Sequence, residues 1–437
     1  MPHSWRPTGL MRAALAALFL LPLAAARAQA PSGEPVRLGV VTILTGPAAG
    51  PFGIPGRNSA ELLIGAINDG SMPAPYDKPG FGGAKAEFKF VDEAGSTATQ
   101  VTELRNLVQR DQVDAVVGYI SSGNCLAVAP VAEELQALTV FFDCGTPRIF
   151  EERAYKYVFR TAPTSTMDNV AAARYAAQKI KNLTSYSGIN QNYAWGQDSW
   201  RDFVLTMKKM EPNAKVNKEL FPKLYAGEYG AEISTLLTSG SQAIHTSFWG
   251  GDLESFILQS AARGLPQRSP LILTAGETAM FRLGPKMPDG TIIGARGPHG
   301  VLAHDTELSR WFRKNYQDRY GTPPTYPAYH MAQAVLGLKS AYDKAAGQAG
   351  KRPTKDEVIA AFEHLEFPAA STTIRMALGK GHQAISDIAY GTYRFNKAES
   401  QPEIVDVVRF PAECVNAPEN MTSEAWLEAG MPGAKCD

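Results

Sequence analysis

The feature that most constrains this chain is an alternation, run through twice, of short β-rich stretches and amphipathic stretches of helical period. Val36–Leu44 reads as a strand, and Arg57–Asn68 follows with apolar residues at Ala60, Leu63, Ile64 and Ile67, the spacing of one helix face. Ala86–Asp92 reads as a strand, and Ala98–Arg110 as a helix with Val101, Leu104, Leu107 and Val108 on one side. Ala115–Gly118 is a short unbroken apolar run, as in a strand covered on both faces; Leu126–Leu135 is helical and Thr139–Phe142 is the next strand. A second series has strands at Ser185–Ile189, Val216–Leu220, Ala243–Trp249 and Leu271–Thr274, with helices at Met167–Ile180, Asp198–Met210, Glu232–Leu237 and Leu253–Arg263. Three helices follow, Glu307–Tyr320, Tyr326–Ala346 and Thr354–His364, and then β-rich runs at Ile374–Ala377, Tyr390–Phe395 and Ile404–Phe410. Strand–helix–strand order demands right-handed crossovers and a mostly parallel sheet, which sets the fold class as α/β. Two series in 437 residues, more than one hydrophobic core accommodates, predict two doubly wound lobes.

The first thirty residues form a separate object. Arg6 and Arg12 precede an apolar, Ala-rich stretch from Ala13 to Ala26, and Ala28-Gln29-Ala30 is a small-x-small site. This is the pattern of a secretory signal peptide, residues 1–30, cut after Ala30; the stretch is short for a spanning helix, and no later apolar run reaches that length. The expected product is soluble and exported. In an oxidising compartment the four cysteines are expected to form two bridges. Of the three connectivities, near-neighbour pairing, Cys125–Cys144 and Cys414–Cys436, is the expectation; a pair of small buried thiols is the alternative for Cys125 and Cys144. Lys+Arg and Asp+Glu are equal at 43 each, so there is no basic excess to hold a phosphate backbone and no nucleic-acid partner is expected.

In open α/β sheets ligands bind beyond the carboxyl ends of the strands, so the residues after each strand carry the functional information. They are Thr45–Gly53, Tyr119–Asn124, Asp143–Pro147, Asn192–Gln197 and Trp249–Asp252. These loops mix glycine, hydroxyls and large aromatics, a composition suited to a small ligand with a polar head and an apolar body. No H-E-x-x-H, G-x-S-x-G, P-loop or post-strand G-x-G-x-x-G occurs, so an enzyme is not expected.

At these residues the sequence resembles the type I periplasmic solute-binding proteins of ABC transporters, in the leucine/isoleucine/valine-binding branch. The likeness is carried by Leu44-Thr45-Gly46-Pro47 leading into Asn58–Asn68, by Val117–Glu134, by Tyr157–Pro163 and by Tyr193-Ala194-Trp195-Gly196-Gln197. Tyr320-Gly321 with Pro323-Pro324, and His382-Gln383, also fit, so the likeness runs over nearly all of the chain after residue 30. It implies two Rossmann-like lobes joined by a three-strand hinge: residues 31–161 plus 296–365 in lobe one, and 162–295 plus 366–437 in lobe two. It implies a periplasmic monomer without cofactor or metal that captures a small molecule by hinge closure and delivers it to a membrane permease. A ligand-dependent sensor docking to a membrane receptor shares the fold and is the rival reading.

The resemblance also implies a site. Ser122 falls where the family bonds a ligand carboxylate, and a turn just before a helix is physically suited to an anion; an N-cap serine is the plainer reading. Thr146 falls where the family offers a hydroxyl and backbone to the ligand head, and Cys144 where a backbone carbonyl faces it. Phe52, Trp195 and Trp249 fall at the aromatics that sandwich the apolar body. Amino-acid binders of the family pair the ligand ammonium with a lobe-two acid, but Ala275 stands there; Glu277, two residues on, or Asp252 is left to supply the charge. Without such an acid the expected ligand becomes an aromatic carboxylate, a keto acid or a short amide. Arg296, His299 and Tyr329 are rim candidates near a hinge.

Overall fold

The structure, a computed structural model, describes residues 33–436, so the segment read as a signal peptide lies outside the described residues. The first series of units is β1 (Val36–Thr42), α1 (Ile54–Asp69), β2 (Ala86–Asp92), α2 (Thr97–Arg105), β3 (Ala115–Gly118), α3 (Ser122–Glu134), β4 (Thr139–Phe141), α4 (Arg148–Glu151) and β5 (Val158–Arg160). The second is α5 (Ser165–Lys179), β6 (Ser185–Ile189), α6 (Ala194–Met210), β7 (Lys215–Leu220), α7 (Gly230–Thr238), β8 (Ile244–Thr246), α8 (Gly250–Ala262), α9 (Leu265–Arg268), β9 (Leu271–Leu273), α10 (Glu277–Leu283) and β10 (Ile292–Gly294). Then come α11 (Glu307–Tyr320), α12 (Tyr326–Ala349), α13 (Lys355–Phe362), β11 (Glu366–Pro368), β12 (Thr373–Leu378), β13 (Gln383–Ile385), β14 (Ile388–Asn396) and β15 (Gln401–Phe410).

Two sheets result, with orders β11-β12-β13-β5-β4-β3-β1-β2 and β15-β14-β10-β9-β8-β6-β7. The parallel part of each runs 2-1-3-4-5 in its own series, the doubly wound order that reverses between its first and third strands. The antiparallel β11–β12–β13 and β14–β15 strands extend one edge of each sheet. The chain passes between sheets three times, after β5, after β10 and between β13 and β14. The third crossing corrects the expected lobe boundary: residues 366–385, assigned to lobe two, pair into the first sheet through β11, β12 and β13. In sequence the β-rich tail reads as one block, whereas only its strands β14 and β15 join the second sheet.

The central strands of each sheet are buried on both faces, their side chains alternating between two clusters. Val40, Val117 and Val140 join one apolar cluster, while their neighbours Val41, Val116 and Phe141 join another on the opposite face. The second sheet divides in the same way, with Ile244, Leu271 and Leu273 against Ala243, Ile272 and Ile292. The larger cluster crosses the gap between lobes, where Phe52, Ile120, Trp195 and Trp249 connect the two cores.

Helix starts are the main departure from the sequence reading. α3 begins at Ser122 rather than Leu126, and α6 at Ala194 rather than Asp198. The first turn of each is polar or glycine-containing, so apolar period alone does not reveal it. Both expected disulfides are present, Cys125–Cys144 and Cys414–Cys436. The second ties down the C-terminal segment, whose Cys414, Val415 and Trp426 share a core with α5 and α6. No helix among the described residues is long and apolar enough to cross a membrane. Since the Cys414–Cys436 loop closes about twenty residues, replacing both cysteines by serine is expected to cost about 3 kcal/mol, read from the denaturation midpoint. An unchanged midpoint would mean that packing alone secures the C-terminal segment.

Candidate functional site

Ten residues enclose a small cavity between the two sheets: Phe52, Ile120, Ser122, Asp143, Gly145, Tyr193, Trp195, Trp249, Arg296 and Tyr326. The cavity volume they leave is about 10 Å³, room for a water molecule at most. All but Tyr326 follow the carboxyl end of a strand: β1, β3, β4, β6, β8 or β10. Both switch points, β1/β3 in the first sheet and β6/β8 in the second, face this cavity.

Local sequence explains how the rings arrive there. A π-helical turn over Ala49–Gly53 precedes α1 and carries Phe52. It closes on β1 so tightly that a Cβ at Gly53 would lie 1.5 Å from the Ile43 carbonyl oxygen. Phe52 meets Trp249 edge-on at 5.2 Å and Tyr326 edge-on at 5.4 Å. Trp249 donates its indole N–H to the Tyr193 hydroxyl at 2.7 Å, and Trp195 donates to the Ser247 carbonyl at 2.8 Å. These bonds fix both indoles, so the rings are presented rather than free to collapse. Trp195 also packs over Gly145, where a Cβ would lie 2.3 Å from the indole and 2.7 Å from Arg296; only glycine fits.

Arg296 holds the polar end. It is 4% exposed and has φ +48°, a left-handed conformation uncommon for a residue with a side chain. Its Nε donates to Asp168 at 2.9 Å, its Nη1 to the Asp143 carbonyl at 2.6 Å and to Asp143 Oδ1 at 2.5 Å, and its Nη2 to the Pro163 carbonyl at 3.1 Å. The guanidinium also lies 4.5 Å from the Trp195 ring centre, a cation–π distance. Burial alone would lower its pKa, but Asp143 and Asp168 outweigh that and hold it above its ordinary value. Burial pushes Asp168 up to about 7.

The expected site residues divide. Ser122, Phe52, Trp195 and Trp249 line the cavity. Ser122 is not an N-cap: it is the first residue of α3, and its Oγ accepts the N–H groups of Gly145 at 3.1 Å and Thr146 at 3.2 Å. Its own proton is therefore available to an acceptor. Thr146, Cys144 and Glu277 do not line the cavity. Thr146 donates its hydroxyl across the lobes to Asp198 at 2.6 Å. The Cys144 and Thr146 carbonyls accept from Arg160 Nη1 at 2.9 and 2.6 Å, which turns that loop's backbone toward the hinge. Glu277 accepts the backbone N–H of Tyr326 at 2.9 Å and so caps α12 from the other lobe. Asp252 accepts from Gln191 and from the Tyr225 and Gly227 N–H groups, a loop-bracing role. Of the rim candidates only Arg296 is at the cavity; His299 bonds Ser371 and stacks on Tyr329 behind it. Asp143, Tyr193 and Tyr326 line the cavity without being site candidates on sequence alone. The first two stand in strand-end loops, where the strand-end rule points, while Tyr326 starts a helix and carries no such signal. No group of three or more residues suited to a metal occurs among the described residues.

A cavity between paired switch points of two doubly wound sheets is the architecture of a known family, and the family profile described as periplasmic binding protein matches residues 35–398. The chain belongs to that family. The leucine-, isoleucine-, valine-, threonine- and alanine-binding protein of Pseudomonas aeruginosa is 26% identical over 230 residues, which span 52% of this chain and 58% of that protein. Leu/Ile/Val-binding protein homolog 4 of Brucella melitensis is 23% identical over 72% of this chain and 74% of its own. Among solved structures, an ABC-transporter solute-binding protein of Rhodopseudomonas palustris BisB5 in complex with 3,4-dihydroxybenzoic acid superposes with TM-score 0.76 at 19% identity, covering 89% of this chain and 99% of that one. A leucine-binding protein of Thermotoga maritima superposes with TM-score 0.69 at 16% identity, covering 85% and 98%. Periplasmic binding proteins are non-enzymatic solute-binding components of transport, and this chain is one of them.

Glu277 gives this closed arrangement a pH signature. Burial pushes its carboxyl up to about 8, only partly opposed by the Tyr326 N–H. The folded protein then holds this proton more tightly than the unfolded chain, so stability falls as pH rises from the unfolded value of 4.5 through 8. Glu277→Gln keeps an acceptor for Tyr326 and removes the charge. Thermal melts are expected to show wild type losing more stability than the variant between these limits; parallel profiles would contradict the assignment.

Proposed function

We propose that the protein is the extracytoplasmic solute-binding component of an ABC importer, exported by a signal peptide cleaved after Ala30. It captures a small ligand between its lobes by hinge closure and hands it to a membrane permease. The observation that carries this reading is that both lobes build the cavity: the first supplies the Ser122 hydroxyl, the Asp143–Gly145 loop and the Phe52 and Tyr326 rings, and the second supplies Tyr193, Trp195 and Trp249. A ligand of amphipathic design needs both halves at once, which is what couples capture to closure.

Ser122 is the donor to a ligand carboxylate, and Phe52, Trp195 and Trp249 enclose the apolar body. Thr146 holds the lobes together through Asp198 rather than touching the ligand. The walls stand close together, ring against ring at 5.2 and 5.4 Å, so the lobes part to admit a ligand. The curated relatives favour an apolar amino acid, branched-chain or other. The second reading, an aromatic carboxylate, has its support in the ring-lined walls and in the Rhodopseudomonas palustris proteins whose structures hold benzoate and 3,4-dihydroxybenzoic acid.

Calorimetric titration of Ser122→Ala tests the shared part of both readings. Loss of a hydrogen bond to a charged group predicts about 2 kcal/mol, roughly thirty-fold, for carboxylate ligands. Neutral amide analogues are expected to lose much less. Equal loss for both would make Ser122 a brace for the Gly145–Thr146 loop only.

A further inference from the structure

The acid that the sequence lacks at Ala275 has a counterpart elsewhere. Asp143, at the end of β4, lines the cavity and is 1% exposed. Its two oxygens are not equivalent. Oδ1 accepts from Arg296 Nη1 at 2.5 Å and lies 2.8 Å from His330 Nδ1. Oδ2 is buried and has no hydrogen-bond partner among the described residues. A buried carboxylate oxygen left in this condition is destabilising unless something brings it a donor. The side chain has little freedom to turn away. Arg296 holds both its Oδ1 and its backbone carbonyl, and His330 also contacts the Arg296 carbonyl at 2.9 Å.

Charge narrows the donor. Asp143 and Asp168 share one guanidinium, that of Arg296, and no other lysine or arginine touches either carboxylate among the described residues. The nearby Arg160 touches neither carboxylate: its Nε and Nη1 go to the Gln383 amide and to the Cys144 and Thr146 carbonyls, and its Nη2 has no partner among the described residues. His330 adds no charge, because burial holds its imidazole below its ordinary range. Arg296 is therefore the one cation in contact with Asp143, and it reaches Oδ1 and not Oδ2. The other polar groups at the cavity are donors: Ser122 has a free hydroxyl proton, and Tyr193, whose oxygen accepts from Trp249, has another.

We infer that Asp143 Oδ2 is the specificity-determining acceptor of the site, and that it selects ligands bearing an ammonium group over the corresponding hydroxy and unsubstituted acids. This rests on the reading of the cavity as the ligand site and deepens it. The ammonium is then received on the first lobe, beside the hydroxyl that takes the carboxylate, while Glu277 and Asp252 keep their bracing roles. An ammonium gives Oδ2 a charge-assisted hydrogen bond, an uncharged hydroxyl gives it a weaker neutral one, and an unsubstituted acid gives it none.

The test uses two matched series: leucine, 2-hydroxyisocaproate and isocaproate, and phenylalanine, phenyllactate and 3-phenylpropionate. In calorimetric titrations of the wild-type protein, at least one amino member is expected to bind about 100-fold or more tightly than its hydroxy and unsubstituted partners, as when a buried polar group is left unpaired. Asp143→Asn is expected to compress that ratio below about ten-fold by weakening the amino member alone. Asp168→Asn disturbs the same Arg296 cluster from outside the cavity and is expected to weaken all members of a series alike. If Asp143→Asn fails to fold, the wild-type ratios decide. Unsubstituted or hydroxy acids binding as tightly as amino acids would overturn the role of Asp143, as would benzoate binding with none of the six; either result leaves the cavity reading in place. A wild-type protein that binds none of these seven compounds would count against the cavity reading itself and remove the inference with it.

Discussion

The structure of the cleft depends on one buried cation. Arg296 leaves the end of β10 in a left-handed conformation and reaches residues that belong to both lobes: Asp143 beyond β4, Pro163 in the first crossing, Asp168 in α5 and the face of Trp195 in α6. Removing a guanidinium from water costs several kcal/mol, and only near-complete pairing offsets that. The pairing exists because three separate chain segments converge on the point where β10 returns the chain to the first lobe. Gly145 has no side chain for the same reason: the indole and the guanidinium occupy the volume a Cβ would need. An exchange at any of these positions therefore propagates to the others.

Closure of the lobes is an electrostatic event as well as an apolar one. Thr146 reaches Asp198 across the cleft, and burial pushes that carboxyl up to about 6; Glu277 reaches the start of α12 under the same influence. Each is a carboxyl taken out of water with one donor from the other lobe, and Asp198 also has Arg201 beside it at 3.4 Å. Such contacts contribute little net stability and are undone at modest cost, which suits a protein that must open again to release what it holds. The apolar contribution is concentrated at Phe52, Trp195 and Trp249, where the cores of the two lobes meet.

Much of this is legible in the sequence, and what is not has identifiable causes. Period and order alone specify doubly wound lobes, and the strand-end rule leads to the loops that hold Phe52, Ser122, Trp195 and Trp249. The near-neighbour disulfides agree with count and spacing. Three-residue strands such as β10 and β13 carry too little period to be seen, so the return of residues 366–385 to the first sheet is invisible to it. Family position puts Thr146 and Cys144 at the ligand, but a loop has two sides, and Arg160 turns their carbonyls toward the hinge. The pairing of Asp143 with Arg296 joins residues 153 apart in the chain, and no local pattern announces it.

The central claim is that solute capture and lobe closure are one event, with the ligand held between the strand ends of two hinged sheets. Small-angle X-ray scattering of the same protein sample, with and without saturating ligand, tests it most directly. The account predicts a smaller radius of gyration and a shorter maximum dimension when ligand is bound, with the change abolished by blocking the cavity. Saturating binding with superimposable scattering curves from an open free form would contradict it.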